Sequence, residues 1–215
     1  MPLRILLATI GSSGDVHPVI GLGRALKARG HQVTGVARNI DSLKVIPGVT
    51  TQTDDLSNVD AIASIIKGAD AVVTAYQSPP ENPDALVEVT RREIEAVQKA
   101  GNLRLLVVGG AGLLEVAPGV TLIKSGHLPP QYLPIATAHE NALAVLRASS
   151  INWTYLSPAA FFIPGERTGT FRLGTRELIA DSKGESKISF ADYAIALVNE
   201  LENPHHERSS FSVGY

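Results

Sequence analysis

Short apolar runs alternate along this chain with stretches of helical periodicity, the pattern of a parallel sheet wound with helices. The runs Leu3 to Ile10, Gln32 to Ala37, Val49 to Thr53, Ala71 to Ala75, Leu103 to Val108, Trp153 to Leu156 and Ser210 to Val213 read as strands. Between them, Val19, Leu22 and Leu26 share a helical face that Gly30 is placed to end, and Val59, Ile62, Ala63 and Ile66 share another. Glu81 to Ala100 predicts a long helix with Val87, Ile94 and Val97 inward and Gly101 as its stop. Two capping boxes, Ser57 to Asp60 and Ser189 to Asp192, predict helix starts with the serines as caps. The second opens a helix with Phe190, Ala194, Leu197, Val198 and Leu201 inward and Pro204 as stop. Leu113 to Thr137, with four prolines, reads as a long loop before a helix from about Ala138 to Ala148. After Ser157-Pro158 the pattern loosens.

Right-handed crossovers turn this order into one α/β domain, residues 1–215. It is a doubly wound, mostly parallel sheet with helices on both faces. Ligands are then expected beyond the C-terminal strand ends, where the turns at Gly11, Arg38, Asp55, Tyr76, Gly109 and Ser157 gather. With 215 residues, 44% of them hydrophobic, the chain can bury a full core without disulfides or metal. A net charge of −2 gives no footprint for nucleic acid or an anionic membrane surface. The absence of cysteine excludes thiol catalysis, disulfides and Cys-ligated zinc. No apolar run approaches the roughly 18 residues of a membrane span. Ile5 to Ile10 reads as a buried strand rather than a signal segment. The expectation is a cytoplasmic monomer or homodimer that handles a small molecule.

Several residues on that edge could carry chemistry. Gly11-Ser12-Ser13-Gly14-Asp15-Val16-His17-Pro18 forms the first strand–helix turn, where backbone N–H groups and a helix N-terminus can receive a phosphate. Asp15 would repel that phosphate and could itself cap the helix, and His17 stands where a third glycine is usual, so a self-capped structural turn is the alternative. Arg38, at the end of the second strand, suits the 2′-phosphate of NADP or is simply a surface arginine. Asp55 could reach an adenine or cap the next helix. His139, beside Glu140, is placed near a helix start as an acid/base candidate, or is a structural histidine. His205-His206, past a helix stop, are expected to be solvated. None of the five tyrosines has a lysine four residues on, so the Tyr-x-x-x-Lys pair of a reductase is missing. No Walker, HExxH or GxSxG motif is present, and no metal site is expected.

From about Arg38 onward the chain resembles the atypical short-chain dehydrogenase/reductases, nearest to the NmrA-like and NAD(P)-dependent epimerase/dehydratase-like proteins, with flavin and biliverdin reductases as relatives. The carrying segments are Gly68 to Val73, Leu105 to Gly112, Leu146 to Ser149, Trp153 to Phe162 and Pro164 to Gly169. The resemblance implies a Rossmann-like fold with NADP(H) or NAD(H) across the strand ends. Arg38 would meet the 2′-phosphate and Asp55-Leu56 the adenine. Ala75-Tyr76 and Gly109-Gly110 would flank the ribose and nicotinamide, with Ser157-Pro158-Ala159 closing over the ring. His139 matches a position lining the reductase pocket, and Tyr132, Phe161 and Phe162 complete the substrate side. Residues 1–37, by contrast, are similar to the N-terminus of GT-B glycosyltransferases through Ile5 to Pro18 and Leu26 to His31. Together the two resemblances imply a composite chain, a βαβ opening grafted from another source, whose altered turn weakens cofactor binding.

Three readings follow. The first is an NAD(P)H-binding oxidoreductase, NADP preferred, that passes a hydride to a small conjugated acceptor, with solvent or His139 supplying the proton. The second is an NADP-binding regulator without chemistry. The third is a scaffold whose Asp15 and His17 block the dinucleotide.

Overall fold

Strands and helices alternate as the periodicity requires. The fold, taken from a computed structural model, is described for residues 1–8 and 16–215; Thr9 to Asp15 and the side chains of Val16, His17 and Pro18 lie outside that description. The elements are β1 (Arg4–Ala8), α1 (Val16–Ala28), β2 (Gln32–Ala37), β3 (Thr50–Thr53), α2 (Val59–Ile66), β4 (Ala71–Thr74), α3 (Ala85–Lys99) and β5 (Arg104–Val108). They continue with β6 (Glu115–Ala117), β7 (Val120–Thr121), α4 (Leu133–Ala148), β8 (Trp153–Ser157), β9 (Phe161–Ile163), β10 (Arg172–Gly174), β11 (Lys187–Ser189), α5 (Phe190–Glu202) and β12 (Ser209–Gly214).

The main sheet runs β10-β12-β8-β5-β4-β1-β2-β3, parallel except where β10 meets β12. Alternation along each strand feeds two cores. Ile5, Leu7, Val73, Leu106 and Leu156 pack with α1 and α5, and Leu6, Ala8, Val72, Leu105 and Val107 with α2, α3 and α4. β1 lies between β2 and β4, so successive crossovers leave it in opposite directions and the strand order reverses there. A crevice at the C-terminal edge follows from that reversal.

Local details correct several expectations. Asn58, not Ser57, caps α2, its side chain accepting from the Asp60 and Ala61 N–H groups, while Asp60 pairs with Lys99. Ser189 caps α5 as expected, accepting from the Asp192 N–H. The stretch expected as a long loop holds the β6–β7 hairpin and a short 3-10 turn at Pro130–Tyr132, and α4 starts at Leu133 with a proline in its first turn. His139 therefore sits in the second turn of α4. The loosened region holds β9 and β11, paired with each other, and the antiparallel β10. Fully buried Asp192 gathers this region by accepting from Thr168, Gly169 and the Tyr215 hydroxyl. His206 is not free in solvent: it stacks on Phe211 at 3.9 Å and bonds Glu200 through Nδ1 at 2.8 Å. Among the described residues no helix is long and apolar enough to cross a membrane.

Candidate functional site

Beyond the ends of β4 and β5 lies a cavity of about 250 Å³. Ala75 and Tyr76 enter it from the β4 end, Val108 and Gly109 from the β5 end, and Ile135 and His139 from α4. Phe162 and Phe190 close it with an aromatic wall, their rings edge to face at 4.7 Å. A larger groove of about 900 Å³ is lined only by residues of α3 and α4 and their caps, with no buried titratable group among them.

A chain of hydrogen bonds ends at this cavity. The Gly110 N–H donates to the Tyr155 hydroxyl oxygen at 3.0 Å, and that hydroxyl lies 2.9 Å from His139 Nδ1. The close approach needs glycine at position 109 and is eased by glycine at position 110. A Cβ on Gly109 would stand 2.2 Å from the Tyr155 ring, and one on Gly110 would stand 3.1 Å from His139 Cδ2. Burial pushes the imidazole down to about 4, so His139 is neutral at pH 7. Burial also pushes the Tyr155 phenol far up, only partly offset by the Gly110 N–H. Beside them Tyr193 donates to the Leu156 carbonyl at 2.8 Å.

A second group of polar residues surrounds the ends of β2 and β3. Arg38 is exposed and has no hydrogen bond or ion pair among the described residues. Hydrogen bonds from Ser57, with a contribution from Arg38, hold the Asp55 carboxyl below its ordinary value. Asp55 makes its turn through the Ser57 N–H at 3.0 Å and does not cap α2. Leu56 is a buried leucine at φ 58, a left-handed backbone that costs about 1–2 kcal/mol outside glycine. Its N–H donates to Asp54 at 2.7 Å and its carbonyl accepts from Arg92 at 3.4 Å. Burial raises the Tyr76 phenol against the pull of Arg38 and Arg92. Underneath, Glu93 is 4% exposed and its Oε1 has no partner among the described residues. Burial raises this carboxyl to about 7, the nearby Thr74 hydroxyl pulling the other way.

The structure thus brings Ala75, Tyr76, Gly109, His139 and Phe162 to one cavity, with Gly110 attached through Tyr155. Ser157, Pro158 and Ala159 are buried at the end of β8 and do not line it. Tyr132 and Phe161, expected on the substrate side, are 54% and 59% exposed and stand outside the cavity. Gly11, Ser12, Ser13, Gly14 and Asp15 lie outside the described residues, and Val16 opens α1. Among the described residues no group of three or more His, Asp or Glu could hold a metal. Sequence reasoning missed Tyr155, Arg92 and Glu93. No local signal sets Glu93 apart: its neighbours include Arg91, Arg92 and Glu95, and adjacent Ile94 points about 100° away round the helix.

Comparison with known proteins identifies the family. A family model described as NAD(P)H-binding matches residues 22–204. The chain is 40% identical over 211 residues to the uncharacterized YwnB protein of Bacillus subtilis (strain 168), covering 96% of this chain and 97% of that protein. A Bacteroides thetaiotaomicron protein provisionally named an epimerase is 40% identical, with a TM-score of 0.87 over 99% of this chain and 97% of that one. A Streptococcus pneumoniae TIGR4 protein provisionally named an NADH-flavin reductase is 32% identical, with a TM-score of 0.85 over 97% and 98%. The chain belongs to the NAD(P)H-binding family.

Proposed function

We propose that this member of the NAD(P)H-binding family is an NADP-preferring reductase of a small conjugated acceptor. The observation that carries the reading is the pairing of two features on one sheet edge. One is the exposed Arg38 guanidinium at the end of β2, which makes no hydrogen bond or ion pair among the described residues; the other is the aromatic-walled cavity at the ends of β4 and β5. Three strand spacings of about 4.8 Å separate β2 from β5, so about 14 Å must be bridged, which an extended ligand with an anionic end and a flat end would do. Arg38 suits the anionic end by a charge-assisted pair, and Phe162 and Phe190 suit the flat one. The name of the S. pneumoniae relative agrees with this chemistry.

Within the reading, Arg38 holds the 2′-phosphate and the Asp55-Leu56 turn borders the adenine. Ala75, Tyr76 and Gly109 border the ribose and nicotinamide, with Gly11 to Asp15 as the pyrophosphate turn. Gly110 does not offer its N–H to the cofactor, because Tyr155 already takes it. The bound nicotinamide supplies a hydride equivalent to the acceptor. His139, neutral at pH 7, leaves delivery of the proton to solvent.

Titration of the protein and an Arg38→Ser variant with NADPH and NADH, followed by nucleotide fluorescence, tests the reading. The variant is expected to bind NADPH about ten- to a hundredfold more weakly, the loss of one charge-assisted contact worth about 1.5–3 kcal/mol, with NADH unchanged. Equal affinity of the unaltered chain for both would overturn the NADP preference, and binding of neither would overturn the whole reading. Consumption of NADPH with 1,4-naphthoquinone distinguishes the reductase from a regulator that binds without turnover.

A further inference from the structure

The Tyr155 hydroxyl has one proton to give. Its oxygen accepts the Gly110 N–H, and the acceptor within reach of its own O–H is His139 Nδ1, at 2.9 Å. Tyr155 is fully buried, so a hydroxyl proton without an acceptor would cost about 1–3 kcal/mol. Were Nδ1 protonated, two donors would converge on the phenol oxygen and its own proton would have no acceptor among the described residues. Nδ1 is therefore the acceptor, and a neutral imidazole then carries its proton on Nε2. No residue among those described bonds Nε2, and His139 borders the cavity. The two glycines leave room for the relay: a side chain on Gly109 would collide with the Tyr155 ring and one on Gly110 would press on the imidazole.

We infer that Tyr155 is a positioning residue that fixes His139 as the Nε2–H tautomer, and that the cavity takes a carbonyl compound conjugated to a flat ring, its oxygen held by that N–H. The ligand class rests on the reductase reading above; the tautomer does not. An N–H beside the apolar Val108, Ile135, Phe162 and Phe190 recognises an electron-rich oxygen. Because the imidazole stays neutral, it stabilises negative charge growing on that oxygen by hydrogen bonding instead of protonating it. The edge-to-face pair of Phe162 and Phe190 offers a wall for the flat ring.

Long-range ¹H–¹⁵N spectra of the histidine rings in ¹⁵N-labelled protein test the tautomer, with a His139→Gln sample assigning the His139 signals among the six histidines. The expected result is a bare Nδ1 and a protonated Nε2 from pH 5 to pH 8. In Tyr155→Phe the expected result is a mixture of tautomers and about tenfold weaker binding of 1,4-naphthoquinone, from one lost hydrogen bond's worth of positioning. His139→Gln, whose amide N–H can stand where Nε2–H stood, should bind the quinone more tightly than His139→Ala. A protonated Nδ1 in the unaltered chain, or an unchanged tautomer in Tyr155→Phe, overturns the positioning role. Equal quinone binding by the unaltered chain and His139→Ala overturns the ligand class. Should Tyr155→Phe fail to fold, the unaltered spectrum and the two His139 variants still decide. NADPH titration of the same samples separates the two claims: loss of nucleotide binding with the tautomer intact defeats the reductase reading alone.

Discussion

Thr154 and Tyr155 are adjacent on β8 and point to opposite faces of the sheet, where they join polar networks of opposite kinds. On the α5 face, Thr154 accepts from Arg104 at 2.7 Å and donates to the His206 carbonyl at 2.8 Å. The same Arg104 pairs with buried Glu200, which also accepts the His205 N–H, the His206 N–H and the His206 ring. On the other face, Tyr155 joins a backbone N–H to an imidazole whose second nitrogen has no partner among the described residues. The direction of the pKa shifts follows. Burial would raise Glu200, but hydrogen bonds from His206, Arg104 and His205 outweigh it and hold the carboxyl below its ordinary value. For His139 burial acts without any opposing partner. A perturbed group answered on all sides is structural, whereas one perturbed by burial and open at a cavity is poised for a ligand.

The contrast is broken most forcefully on the Glu200 side, where Arg104 keeps only its Nε without a partner among the described residues. Glu200→Ala leaves the Arg104 guanidinium buried and unpaired and should cost about 3–5 kcal/mol in urea unfolding. A loss under about 1 kcal/mol would show that water reaches Arg104 and that the network is not closed.

Glu93 sharpens the comparison from a third position, buried like Glu200 but with Oε1 unanswered. Its folded value, about 7 against 4.5, is raised, so its contribution to stability is full below about pH 4.5 and lost as pH rises through about 7. Glu93→Gln should therefore unfold with the unaltered chain's stability near pH 4, once allowance is made for the amide. At pH 8 it should be more stable by about 3 kcal/mol. Parallel pH profiles for the two proteins would mean that the carboxylate is solvated in the folded state.

The open side can be strained more gently. Gly109→Ala places a methyl against the Tyr155 ring, and relief of that overlap should cost about 1–3 kcal/mol in thermal unfolding. The same substitution should loosen the His139 tautomer. A variant as stable as its parent would show that β5 and β8 can part without penalty.

Local pattern was enough for much of the architecture. The positive-φ glycines Gly30 and Gly101 follow α1 and α3 where the periodicity ends, and Ser189 caps α5. Apolar runs identified each long strand, because burial on both faces leaves little room for polar residues. The edge at which Ala75, Tyr76, Gly109 and His139 meet was legible for the same reason: in a doubly wound sheet the turns after successive strands share one side. Residues 1–37, for all their resemblance to another family, contribute a β1 and β2 paired in ordinary parallel register, Arg4 opposite Gln32.

The alternation, the helix ends and the working edge were thus legible along the chain, because all are properties of residues near one another in sequence. Tertiary structure alone decided the rest. Asn58 displaced Ser57 as a cap by a one-residue difference in where the backbone turns, and Pro134 began a helix instead of prolonging a loop because proline suits a first helical turn. Glu93 reads as one more polar residue among Arg91, Arg92 and Glu95 until α3 is laid on the sheet and turns it inward. Tyr155 reads as one more buried strand residue until α4 brings His139 to within 2.9 Å of its hydroxyl across 16 positions of sequence. Such pairings depend on how a helix lies across a strand, which periodicity, confined to one element at a time, does not encode.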